Sequence, residues 1–161
     1  MTLGGRYRLA TMSGYDAFDA NRIKHLEMIQ AVIGRLGNDS FLVKGWAVTV
    51  AGVFFGFAVN GSDSSLAFAS LLPTVVFWGL DTYFLRSERL FRALYDRVRA
   101  DESAVPAFSM AATGSDFIES LGDAADDVAS WLGTFLRPTL AVFYGGIVAS
   151  ALAVALAICL G

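Results

Sequence analysis

The chain has 161 residues, 55% of them hydrophobic, with a mean hydropathy of +0.55 and a formal net charge of −3. A soluble domain of this size is rarely so apolar, and the excess is gathered in three blocks, which is the compositional mark of membrane spans. The net charge is too small to imply a polyionic partner, and the single cysteine, Cys159, excludes an internal disulfide framework. Cys159 reads as a small buried residue of the last apolar block.

The chain begins MTLGGRYRLATMSGYDAFDANR, which lacks a continuous apolar core and is not read as a cleaved signal peptide. Residues 1–40 form an N-terminal region with an amphipathic helix over roughly 16–36. Phe18, Leu26, Ile29, Val32, Ile33 and Leu36 fall on one face at helical spacing, opposite Lys24, Glu27 and Arg35. Gly37-Asn38 is the expected stop. His25 lies beside the apolar face, as a packing histidine or as a pH sensor or ligand.

A first span is expected over 41–60, with only Lys44 charged, and a second over 66–85, with only Asp81 charged. Each holds about 20 residues, enough for a helix to cross hydrocarbon roughly 30 Å thick. The tight connection NGSDSS makes the pair an antiparallel hairpin. Counted from Ser62, Lys44 and Asp81 lie at equal depth, 18 and 19 residues away. An isolated charge is costly there, so the two are expected to pair, whether as a structural brace or lining a pore.

The second span should continue unbroken as a helix to Arg99, with Phe84, Phe91, Leu94 and Val98 on one stripe. Arg86, Arg89, Arg92 and Arg99 cover the other half, with Arg97 beside them. A third amphipathic helix is expected over 115–135, capped by Thr113 with Asp116 in a capping box. Phe117, Leu121, Val128, Leu132 and Phe135 face one way, and Asp116, Glu119, Asp123, Asp126 and Asp127 the other. The arginine face either braces this acidic helix or binds an anionic ligand. The third span, 138–160, opens on Pro138, where a missing N–H costs nothing.

All twelve lysines and arginines lie before residue 45 or between spans two and three, and none lies in the loop 60–65 or in the third span. The positive-inside rule then sets the N-terminus and the middle region in the cytoplasm and the C-terminus outside. Trp46, Trp78, Tyr83 and Tyr144 lie towards span ends, as interfacial anchors would. Gly45, Thr49, Gly52 and Gly56 form a small-residue stripe on span one, and Gly145, Ala149 and Ala153 another on span three. Such stripes let helices approach closely. The expected fold is all-α: an integral membrane bundle that oligomerises, because three spans enclose little alone. No phosphate loop, metal-ligand cluster or nucleophilic triad stands in the chain, so no cofactor, metal or enzymatic activity is expected.

HLEMIQAVIGRLGNDSFLVKGWAVTV, leading into span one, and FWGLDTYFLRSERLFRALYDRVR, leading out of span two and followed by AFSM, carry a resemblance. They resemble small bacterial membrane proteins encoded beside nucleotidyltransferase-like enzymes, and look like the transmembrane effector of the Hailong antiphage system. The likeness covers roughly positions 25–110. It implies an oligomeric, tetrameric ion channel of the bacterial inner membrane. A nucleotide-derived or oligonucleotide ligand made by the partner nucleotidyltransferase would hold it shut. Placing that anion on the arginine hemisphere is a separate inference, from the clustered guanidinium groups that phosphate binding needs. The alternative is a non-conducting scaffold whose helices outside the membrane dock a protein partner.

Overall fold

The computed structural model describes residues 4–100 and 105–160, with side chains from residue 20 onward. Asp16, the expected start of the N-terminal amphipathic helix, and Phe18 of its apolar stripe therefore lie outside the described side chains. Among the described residues every regular element is helical: α1 Gly4–Gly61, α2 Ser64–Ala69, α3 Leu71–Arg99, α4 Ser115–Ser120, α5 Ala124–Ala129, α6 Trp131–Phe135 and α7 Pro138–Leu160. Three stretches, Ala20–Gly61, Ser64–Arg99 and Pro138–Leu160, are long and apolar enough to cross a membrane. At 1.5 Å per residue the 23 residues of α7 extend about 34 Å.

α1 does not stop at Gly37-Asn38. It runs on as one helix of 58 residues, about 87 Å long. A glycine inside a helix costs only about 1 kcal/mol. Leu36, Ser40 and Val43 remain buried on either side of Gly37, so packing offsets that cost. The turn after α1 is made by Ser62 at a φ of +49°. Asp63 then caps α2, its carboxylate accepting from the Ser65 N–H at 2.9 Å.

The second apolar stretch is not unbroken as expected. It is interrupted at Ser70, three residues before Pro73, whose ring nitrogen cannot donate to the Ala69 carbonyl. Ser70 keeps right-handed helical angles (φ −63°, ψ −20°), and its carbonyl still accepts from the Thr74 N–H at 3.2 Å.

The expected single helix over 115–135 is three short ones. Gly122 adopts a φ of +56°, which breaks the run after α4, and Ser130 is extended, which separates α5 from α6. Thr113 does not cap this segment. Gly114 holds the cap position of α4 with no side-chain bond, and the Ser115 hydroxyl donates to Asp116 at 3.1 Å. Ser130 caps α6 instead, accepting from the Gly133 N–H at 3.1 Å. The breaks let Phe117, Leu121 and Val128 reach the same cluster against α3, while Leu132 is left exposed.

α1 and α3 run antiparallel, and α7 packs on both at their apolar end, while α4–α6 cover α3 at its polar end. Three clusters stack along this axis. Ile29, Leu90, Leu94, Val98 and Ala112 fill the polar end. Ala47, Leu140 and Tyr144 fill the junction. Ala58, Ala67 and Ala155 close the far end, where small side chains bring the helices near each other. Cys159 is exposed on α7, not buried.

Candidate functional site

The most heavily hydrogen-bonded group in the apolar bundle is the Asp81 carboxylate, on α3 and fully buried. Lys44 Nζ of α1 lies 2.6 Å from its Oδ2. The Ser40 hydroxyl, one turn before Lys44, donates to Oδ1 at 2.5 Å, and Lys44 donates to that hydroxyl oxygen at 2.8 Å. From α7 the Tyr144 hydroxyl lies 3.1 Å from Oδ2. The two neighbouring apolar helices, α1 and α7, therefore both place polar side chains on one carboxylate of α3. A buried carboxylate without partners is untenable, and one held by a cation and two hydroxyls is satisfied. Lys44 keeps 23% of its side chain exposed. The charge pair thus reaches from the core to the bundle surface.

The structure brings Lys44 and Asp81 together, and adds Ser40 and Tyr144, which sequence reasoning missed. Their only signals are that Ser40 precedes Lys44 by one helical turn and that Tyr144 sits one turn and a half into the third apolar helix. Tyr144 is fully buried, so it is no interfacial anchor. Trp78 is part-buried, stacked between Phe135 (centroids 4.2 Å apart) and Tyr144 (5.6 Å), and donates its indole N–H to the Phe135 carbonyl at 3.0 Å. It clamps α6 to the junction. Trp46 and Tyr83 stay exposed, as anchors would.

The five arginines of α3 divide into two groups. Arg86 donates through Nε to the Ala129 carbonyl at 2.6 Å, with its guanidinium 5.0 Å from the Trp131 ring centre. Arg89 pairs with Asp127 at 2.9 Å, and Arg97 holds the Ser120 hydroxyl and carbonyl at 2.6 Å over the Phe117 ring. These three grip α4–α6 through carbonyls, hydroxyls, ring faces and the Asp127 carboxylate. Arg92 pairs with Glu88 at 2.6 Å and Arg99 lies 3.7 Å from Asp96, both within α3 and largely exposed. Asp116, Glu119, Asp123 and Asp126 also stay exposed.

Two further contacts tie α1 to this end. Arg22 donates to the Val98 carbonyl at 3.1 Å and to that of Arg99, covering the last carbonyls of α3 where a cation is favoured. His25 is buried, with Nε2 at 2.8 Å from the Ser109 carbonyl and its ring beside Phe108.

The small-residue stripes take no part in packing within the chain. Gly45, Thr49, Gly52 and Gly56 are all exposed, and a Cβ on any of the three glycines would meet nothing within 4 Å. At 100° per residue they lie opposite Val43, Ala47, Ala51 and Ala58, which face inward. Asn60 extends the outward stripe, its amide donating to the Gly56 carbonyl at 2.8 Å. On α7, Ala149 and Ala153 are exposed and Gly145 has open space, while Leu140, Tyr144, Ala151 and Ala155 pack inward.

In comparisons with known proteins, no family model, no curated protein and no solved structure matches the chain.

Proposed function

We propose that the chain is a subunit of an oligomeric membrane pore of the bacterial inner membrane, an effector of antiphage defence held shut by an anionic nucleotide or oligonucleotide. A partner nucleotidyltransferase supplies that ligand, and the N-terminus faces the cytoplasm. The observation that carries the reading is the outward stripe Gly45–Thr49–Gly52–Gly56–Asn60, set opposite the face that packs within the chain. A small, weakly polar stripe on a lipid-exposed face gives a neighbouring helix close approach and a pore a wettable wall. Three helices filled by their own side chains enclose no passage, so conduction requires several copies, with four as the expected number.

Control belongs to the polar end. Arg86, Arg89 and Arg97 hold α4–α6 through the Ala129 carbonyl, the Asp127 carboxylate and Ser120. A phosphate chain competes for those guanidinium groups, and Arg92 and Arg99, exposed on the same helix, meet it first. The test is ion flux through liposomes carrying the purified protein. Flux suppressed by an added oligonucleotide supports the proposal. A stable oligomer that passes no ion under any applied potential makes the protein a scaffold instead.

A further inference from the structure

An apolar groove of about 270 Å³ opens between α3 and α6, lined by Gly79, Thr82, Trp131, Leu132 and Phe135. Its floor is made open by Gly79, where an added Cβ would meet nothing within 4 Å. The Thr82 hydroxyl is already turned away into its own helix, bonded to the Trp78 carbonyl at 2.8 Å. The groove therefore presents hydrocarbon and one aromatic wall, with no polar group seeking a partner. Trp131 and Leu132 of its lining are more than half exposed. Water is a poor occupant of such a surface, at roughly 25 cal/mol for each Å² left wet.

One end of the groove carries a cation. Gly79, Thr82 and Arg86 follow i, i+3, i+7 on α3, so Arg86 stands on the same face about 10 Å further along. Its guanidinium is held over Trp131, and only its Nε is engaged, by the Ala129 carbonyl. Arg86 pairs with no carboxylate among the described residues, and its two Nη groups remain to donate. Arg137 lies at the other end of α6, with the exposed Asp127 4.0 Å away.

We infer that this groove is a phospholipid site: an acyl chain of the membrane leaflet on the arginine side lies against Gly79 and Leu132, and Arg86 holds the headgroup phosphate. An apolar slot opening onto the lipid-facing surface, ending in an arginine one headgroup's distance along the bundle, fits the two halves of a phospholipid. An anionic headgroup complements a guanidinium that meets no carboxylate among the described residues better than a zwitterionic one does. The site fixes α6, and with it the Trp78–Phe135 clamp, to the leaflet. It depends on membrane insertion and stands whether or not the protein conducts.

The experiment is lipid retention by the full chain. The protein is purified in mild detergent, washed, and reloaded with phosphatidylglycerol or phosphatidylcholine, and bound phospholipid per copy is counted by native mass spectrometry. The intact chain should keep phosphatidylglycerol over phosphatidylcholine by about fivefold, the factor expected for one arginine at an anionic headgroup. Gly79→Leu should fill the groove and bring retention of both lipids to background, with an unchanged melting temperature. Arg86→Gln should retain lipid but lose the preference. Equal retention by the intact chain and a folded Gly79→Leu variant overturns the site. If Gly79→Leu does not fold, a headgroup preference unchanged in Arg86→Gln overturns it.

Discussion

Asp81 is stabilised only by the donors that reach it, and those come from two other helices. Removing it leaves the Lys44 ammonium in a mostly apolar setting beside the Ser40 hydroxyl. Asp81→Ala should therefore cost about 3 kcal/mol, as deletion of one partner of a buried pair does. Lys44→Ala on the same background should recover at least half of that loss, because no charge then remains uncompensated. The pairing is wrong if the double variant, melted in detergent, loses the sum of the two single costs. Equal depth from the hairpin turn made this pair legible in the sequence. Ser40 was not legible, because serine and threonine hydroxyls in apolar helices commonly bond their own helix backbone, as Thr49 and Ser150 do here. Tyr144 was not legible because its place near a span end suits an interfacial anchor equally well.

At the scale of elements, the departures from expectation trace to a few particular residues, Ser130 among them, where the extended backbone separates α5 from α6. Pro73 interrupts the second apolar helix because it has no N–H. Gly122 breaks the acidic segment because only a residue without a Cβ adopts its φ of +56° freely. Since a Cβ on Gly122 would meet nothing within 4 Å, Gly122→Ala carries backbone strain alone. The expected loss is about 1 kcal/mol, with Gly122→Asn milder, read as shifts in melting temperature. No loss in either variant would mean that the segment can close into the continuous helix its periodicity suggests. Gly37 is the converse case, a helix-weakening residue overridden by the burial of Leu36 and Ser40 around it.

At the scale of the whole molecule, the proposed assembly rests on the outward faces. Gly52→Leu adds a side chain where the chain has open space, so the subunit should melt at the same temperature or higher while its oligomer mass falls. An unchanged oligomer would remove the stripe from the interface. The charge distribution predicts a C-terminus outside the cytoplasm; a C-terminal reporter active only inside the cell would contradict it. For the arginines, Arg89→Glu with Arg92→Glu should abolish oligonucleotide binding, leave the oligomer intact and make induction toxic without phage. Binding to the intact chain should weaken steeply between low and moderate salt, because phosphate contacts release counterions. Normal binding and healthy growth in the double variant would leave Arg89 with its structural role at Asp127, an exposed pair worth about 0–1 kcal/mol.

By itself the sequence determined three apolar helices of spanning length, the tight hairpin between the first two, and the start of the third at Pro138. These follow from hydropathy and turn chemistry, which accumulate along the chain and need no partner. Only the tertiary structure decided which faces are inside. Lipid is as apolar as a helix interior, so hydropathy does not distinguish the inward Val43–Ala47–Ala51–Ala58 face from the outward glycine stripe. It also decided that Arg86, Arg89 and Arg97 close on α4–α6, because their partners include backbone carbonyls, hydroxyls and ring faces, which charge periodicity does not mark.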